Sequence, residues 1–163
     1  METKRIASFS VDHDLIDEGI YISRIDGDIT TFDLRTRKPN RGDYIDDITM
    51  HSVEHMLATY LRNSPKGENI IYFGPMGCRT GFYLLTRNLA PETVLKELKD
   101  ALINTINHKG EIFGNNRKEC GNYKALDLEK AKEECRKYLK ILEEKENIDF
   151  KYRETQIKKI IDI

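Results

Sequence analysis

The stretch His51-Ser52-Val53-Glu54-His55 gathers the most chemically useful side chains at the tightest spacing. In an α-helix, residues i and i+4 share a face, so two imidazoles at that spacing can grip one metal ion. Glu54 stands three positions after His51, about 60° round the same helix, and can bring its carboxylate to the same site. The order H-x-x-E-H reverses the zincin pattern H-E-x-x-H and is the inverzincin form. The competing reading is three polar residues on a solvated helix face. Against it, Ile48, Met50, Val53, Met56, Leu57, Tyr60 and Leu61 give this helix a broad apolar surface, so it is expected to be half buried. Buried imidazoles and carboxylates need partners.

A catalytic metal takes about three protein ligands and keeps one position open. His51 and His55 therefore need one more, and the candidates are Cys120, Cys78, His108 and His13. Cys78 lies in Gly74-Pro75-Met76-Gly77-Cys78-Arg79-Thr80-Gly81, where three glycines and a proline demand an unusual backbone path. The guanidinium of Arg79 beside it favours a thiolate. Cys120 sits in Glu119-Cys120-Gly121. Two cysteines beside glycine suit a division of labour, one binding metal and one doing chemistry, and spacing leaves open which is which. Cys135 falls on an apolar helix stripe and reads as structural. Two imidazoles and a thiolate, with water in the fourth position, suit zinc or ferrous iron acting as a Lewis acid on a carbonyl or hydroxyl oxygen. Glu54 is then the natural proton carrier.

These side chains need elements to hold them. Asp46 or Asp47 is a good N-cap for a helix running to about Arg62. Segments 19–25 and 29–34, rich in β-branched and aromatic residues, flank the turn Asp26-Gly27-Asp28 and predict a hairpin. Strands are also expected at 69–73 and 82–87, on either side of the glycine-rich run, and a short one at 5–9. Pro91 opens a second helix to about Asn107, with His108 as a partner for its C-terminal dipole. A third helix runs from Leu126 or Asp127 to about Glu144. The fold class is α+β, a single domain with an antiparallel sheet and helices packed on one face. The domain spans 1–149. Residues 150–163 form a charged, loosely attached tail, in which Ile157, Ile160 and Ile161 could form an amphipathic turn. Arg35, Arg37 and Lys38 crowd the end of the second strand and could hold an anionic substrate group.

Bulk properties narrow the function. A chain of 163 residues, 34% charged and 39% hydrophobic, suits one domain with a real core. A net charge of -1 without a basic block argues against a nucleic-acid partner. No apolar run reaches membrane-spanning length, and the N-terminus lacks the apolar core of a secretory signal. Three widely spaced cysteines do not make a disulfide framework, and a reducing, cytoplasmic location is expected.

Five motifs in register resemble the S-ribosylhomocysteine lyase (LuxS) family over roughly residues 5–145. They are His51–His55, Gly74–Gly81, Glu119-Cys120-Gly121, Ser8-Phe9 with Asp12-His13, and Phe32-Asp33-Leu34-Arg35 with Pro39-Asn40. The resemblance implies cleavage of S-ribosylhomocysteine to homocysteine and 4,5-dihydroxy-2,3-pentanedione, the precursor of the autoinducer-2 signal of quorum sensing. It implies a divalent metal, Fe(2+) with Zn(2+) or Co(2+) able to substitute, held by His51, His55 and Cys120. Cys78 and Glu54 become the acid/base pair, and Ser8, His13, Arg35 and Arg62 the substrate-binding residues. A homodimer with its sites at the subunit interface is implied as well. The chain departs from the family at Thr36-Arg37-Lys38, at Tyr72, where an acidic residue is common, and at Gly74, where serine is common.

That chemistry explains the residue types. The thioether sulfur leaves from C5 of the ribose, so C4 must carry an acidic proton and C3 a carbonyl. The open sugar starts with its carbonyl at C1, which must migrate twice by enolisation. Each step needs stabilisation of a developing enolate oxygen and a base to move protons. Cys78 as thiolate, kept ionised with help from Arg79, is expected to shuttle protons in the isomerisations, and Glu54 in the later transfers. Two alternatives use the same pentad: an H-x-x-E-H zinc metallopeptidase, in which Glu54 activates water, and a non-enzymatic metal-binding domain with a closed four-ligand site.

Overall fold

The computed structural model describes residues 2–153. Strands β1 (Gly19–Asp26) and β2 (Ile29–Arg35) precede helix α1 (Asp47–Arg62). Strands β3 (Ile70–Pro75) and β4 (Gly81–Arg87) follow, then helices α2 (Pro91–Ile106) and α3 (Leu128–Glu144). The strands form one antiparallel sheet in the order β1-β2-β4-β3. At the β1–β2 turn Gly27 takes φ 63°, the left-handed conformation a two-residue hairpin loop needs.

Side chains alternate across a sheet, and here the alternation divides two chemistries. Phe32 and Leu34 of β2, Phe73 of β3 and Phe82 and Leu84 of β4 are buried in the hydrophobic core, as are apolar residues of all three helices. Asp33 and Arg35, the intervening positions of β2, are also buried, on the other face. Helix α1 packs against β3, α2 and α3 and buries Val53, Met56, Leu57 and Leu61. Each such side chain is worth about 1.5–3 kcal/mol when fully buried. This stripe fixes the rotation of α1, and so the direction in which His51 and His55 point. Asp46 caps the helix by accepting from Thr49 N at 3.0 Å, and Asp127 caps α3 through Lys130 N. Cys135 is buried on α3, and burial, with the charge of Glu134 adding to it, pushes its thiol up to about 12, as befits an inert core cysteine.

Three local expectations change. Residues 5–9 do not form a strand: Ala7–Phe9 is a 3-10 turn. Ile6 and Phe9 are exposed, and Phe9 N and Ser10 N donate locally to Ile6 O and Ala7 O, so the segment meets its backbone needs without a sheet partner. His108 lies beyond the C-cap Asn107 and turns its ring to Tyr60 and Glu111, away from the last carbonyls of α2. Residues 150–153, expected to attach loosely, are instead pinned to the sheet. Phe150 is buried edge-on to Phe32, with centroids 6.5 Å apart. Its carbonyl accepts from Ile22 N at 2.7 Å, which covers the outer edge of β1. Tyr152 then crosses to the opposite face and stacks on Tyr21 at 4.8 Å. Ile157, Ile160 and Ile161 lie outside the described residues.

Candidate metal centre and substrate recess

His51, His55 and Cys120 converge: their ligand atoms all lie within 4.8 Å of one another. Both imidazoles are aimed by main-chain carbonyls. His51 Nδ1 lies 2.8 Å from Ala125 O and His55 Nδ1 lies 2.7 Å from Phe113 O. A carbonyl can only accept, so Nδ1 carries the proton in each ring and Nε2 keeps its lone pair for a metal. The carbonyls are held in turn. Ser52, next to His51, accepts from Asp127 N at 2.8 Å and so ties the segment after Ala125 to α1. Gly114 takes φ 69°, and a Cβ there would stand 3.1 Å from His55 Nδ1, so a side chain at this position would strain the backbone and press on the ring. His108 brackets Phe113 from the other side. It accepts from Tyr60 Oη at 2.7 Å and donates through Nε2 to Glu111 O at 2.8 Å. Both its nitrogens are engaged, so it is no ligand.

The third donor comes from a tight turn. Asn116 O accepts from Glu119 N and Cys120 N, and its side-chain oxygen accepts from Lys118 N and Glu119 N. This presents Cys120 Sγ 3.4 Å from His51 Nε2, while Asn122 N donates to the sulfur at 3.4 Å. Metal–nitrogen and metal–sulfur bonds at a tetrahedral zinc-like ion put neighbouring ligand atoms roughly 3.5 Å apart. The donor set therefore fits a divalent ion with two imidazoles, one thiolate and an open side. Glu54 is half-buried on the same helix and is outside the group of three converging donors.

Cys78 stands apart from that group. It is exposed, in the turn between β3 and β4, and its Sγ lies 3.0 Å from Thr80 Oγ1. Thr80 Oγ1 accepts from Arg35 Nη1 at 2.8 Å. Arg35 is itself held by Asp33 at 3.0 and 2.6 Å. Burial pulls the Arg35 pKa down, and the charge and hydrogen bonds of Asp33 more than reverse it, so the net shift is upward. The guanidinium expected beside Cys78 was that of Arg79. The structure corrects this: Arg79, in a left-handed conformation at φ 59°, reaches toward Asp47 at 3.8 Å and over the Tyr44 ring, and Arg35 is the cation linked to the thiol through one hydroxyl. Ser8, His13 and Arg35 line one small recess with Asp33, Tyr83 and Tyr152. Arg62 is elsewhere, exposed, donating to Ile71 O near the start of β3.

The unusual residues prove to be paired. A Cβ at Gly74 would collide with the Tyr72 ring, so the two changes in β3 belong together: the tyrosine lies over space that a side chain at 74 would take. Arg37 forms a two-pronged pair with Glu134 of α3 at 2.6 Å on each prong and approaches Asp43 at 3.2 Å, while Lys38 faces Asp17. Neither residue lines the recess. Sequence reasoning missed Asn116, Asp33, Thr80 and Tyr152. Thr80 and Asp33 had a local signal, each two positions from a residue already chosen. Tyr152 had none, since 119 residues separate it from Asp33.

Residues 6–149 match the family model described as S-Ribosylhomocysteinase (LuxS). A curated relative from Finegoldia magna, named S-ribosylhomocysteine lyase, is 43% identical over 151 residues, which cover 88% of this chain and 96% of the relative. Relatives of the same name from Borreliella afzelii and Phocaeicola vulgatus are 41% and 43% identical. They cover 91% and 83% of this chain and 99% and 88% of their own lengths.

Proposed function

We propose that this chain, which belongs to the S-ribosylhomocysteinase (LuxS) family, is a carbon–sulfur lyase that cleaves S-ribosylhomocysteine to homocysteine and 4,5-dihydroxy-2,3-pentanedione. The observation that carries the reading is the convergence of His51, His55 and Cys120, with both Nδ1 atoms turned to carbonyls and Cys78 left as a separate, exposed thiol. His51, His55 and Cys120 would hold one divalent ion, ferrous iron with zinc or cobalt as substitutes. The ion, when bound, supplies Lewis-acid polarisation of the sugar oxygens.

The chain's own residues do the rest. Ser8, His13 and Arg35 form the wall against which the open sugar sits, where the buried Asp33 keeps the guanidinium oriented. Cys78 takes and returns the carbon-bound protons of the two isomerisations. When it is a thiolate, Thr80 is the only possible donor in their hydrogen bond, so the hydroxyl follows the sulfur's charge. Glu54 carries protons in the later transfers, including the one that accompanies departure of the homocysteine sulfur. Arg62 lies away from the recess, and we assign it to a pocket completed in a homodimer. The exposure of Ile6, Phe9, Tyr44, Ile48 and Tyr72 supports such an interface. Among the described residues no helix is long and apolar enough to cross a membrane, and we place the enzyme in the cytoplasm.

Anaerobic purification, metal analysis and thiol release from S-ribosylhomocysteine test the reading together. The expected result is one metal per chain and homocysteine release, with both lost in His55→Ala and release lost in Cys78→Ala. Metal binding with peptide hydrolysis and no thiol release would favour the metallopeptidase alternative. Normal release by Cys78→Ala would remove that residue from the mechanism.

A further inference from the structure

The hydrogen bonds around Arg35 do not end at Asp33. Tyr152 Oη donates to Asp33 Oδ2 at 2.6 Å, the same oxygen that Arg35 Nη2 reaches at 2.6 Å. Tyr152, Asp33, Arg35, Thr80 and Cys78 thus form one unbroken chain from the segment after α3 to the exposed thiol. We infer that Tyr152 is a positioning residue for Cys78 and the recess, so that the segment following α3 is part of the active site. This inference rests on the proposed roles of Cys78 and Arg35.

Three observations carry it. Tyr152 is a wall of the recess that Ser8, His13 and Arg35 line. Its ring is clamped flat on Tyr21, with an interplanar angle of 11°, and the chain before it is fastened by Phe150 at the edge of β1. Its hydroxyl therefore has a fixed place. Asp33 and Arg35 are both 2% exposed, where charge is screened little and hydrogen bonds strengthen. Burial and the neighbouring Asp33 carboxylate both push the Tyr152 phenol above its ordinary range, so it stays a protonated donor at any pH the enzyme meets.

The physical effect has a sign. The phenol O–H takes up part of the negative charge of Asp33. With that donor present, Asp33 neutralises less of Arg35, and more of the guanidinium's charge acts on Thr80 and, through it, on Cys78 Sγ. Without it, Asp33 binds Arg35 more fully and is itself less well oriented. Cys78 then loses cationic support, and the recess loses a wall hydroxyl. The other charged or titratable groups of the recess are His13 and Tyr83, and neither bonds to Tyr152 among the described contacts.

Tyr152→Phe tests this, since it keeps the stack on Tyr21 and removes only the hydroxyl. The full-length chain is treated with iodoacetamide without substrate, and alkylation of the Cys78 peptide is followed by mass. The expected result is alkylation slowed about fivefold, the scale of one typical hydrogen bond, with kcat falling by a similar factor and KM changing less. Metal content and the alkylation rate of Cys120 should not move. In an Asp33→Asn background, which lacks the carboxylate charge that the phenol offsets, adding Tyr152→Phe should leave the Cys78 alkylation rate unchanged, as for residues acting in one network. Cys78 alkylation and kcat within about twofold of the parent, in a Tyr152→Phe chain that retains its metal, would overturn the inference, as would effects that multiply in the double variant. Because alkylation needs no substrate, a parent chain that released no homocysteine would sink the proposed function and leave this result readable.

Discussion

Two regions of the molecule orient their reactive groups by different means. At the metal centre, His51 and His55 are aimed by main-chain carbonyls of Ala125 and Phe113, and Cys120 by a turn built on Asn116. At the recess and the Cys78 turn linked to it, Arg35 and Cys78 are aimed by the side chains of Thr80, Asp33 and Tyr152. A carbonyl survives almost any substitution of its own residue. A buried carboxylate or hydroxyl does not survive its own replacement. The metal centre should therefore be sensitive at its ligands, at Gly114 and at Asn116 and tolerant elsewhere around them, and the recess sensitive throughout.

Loss of a ligand is the largest expected effect. Removing an outer partner of a metal ligand costs roughly 10–100-fold in affinity, so His55→Ala should exceed about 100-fold, measured by competition with a chelator, and thiol release should vanish with the metal. Asp33→Asn comes next. It leaves Arg35 charged at 2% exposure with a neutral partner. Breaking such a buried pair costs about 3 kcal/mol, readable as a lower denaturation midpoint. A loss below about 1 kcal/mol, the range of exposed pairs, would mean that the recess is wetter than its burial indicates and would erase the contrast.

The two regions were also unequally legible in the sequence. His51 and His55 follow from helical periodicity alone, because the apolar positions of α1 fix which way the helix faces. Cys120 was one of four candidates for the third ligand, since the loop that brings it 3.4 Å from His51 has no periodicity to read. The sheet, its antiparallel sense and the helices on one face follow from strand alternation and the hairpin turn. The 5–9 segment misled because weak alternation does not say whether a partner strand is there. The recess was half legible: Arg35 carried a signal and Asp33, two residues away on the same face, could have been read as its partner. Tyr152 could not, because a charged, weakly patterned tail gives no hint that Phe150 will anchor it. The Tyr72 and Gly74 changes read separately as two losses, and only their contact shows them to be one exchange of space.

Thr80→Val probes the recess at nearly constant volume. It removes the hydroxyl between Arg35 Nη1 and Cys78 Sγ and leaves a buried guanidinium hydrogen without its acceptor. A hydrogen bond to a charged group is worth about 1.5–3 kcal/mol, so kcat should fall by about 10- to 150-fold, while the metal content stays at one per chain. A drop in metal content would show that the two regions are mechanically joined and not independently oriented.

The smallest effect belongs to the matching change at the metal centre. Phe113→Leu replaces a half-buried ring that packs against Tyr60 and His108 at 5.2 and 4.8 Å, yet leaves in place the carbonyl that His55 uses. The smaller side chain leaves a partial gap at a half-buried site, which should cost about 1–2 kcal/mol of stability. Its effect on metal affinity should be smaller still, within about threefold, because neither the carbonyl nor Gly114, which lets the loop pass the ring, has changed. Stability and metal affinity should thus separate here, whereas at the recess a single missing hydroxyl should reach the reaction rate directly. If Phe113→Leu instead weakened metal binding as much as loss of an outer ligand partner does, the carbonyl would be held by its own side chain after all, and the main chain could not be credited with aiming His55.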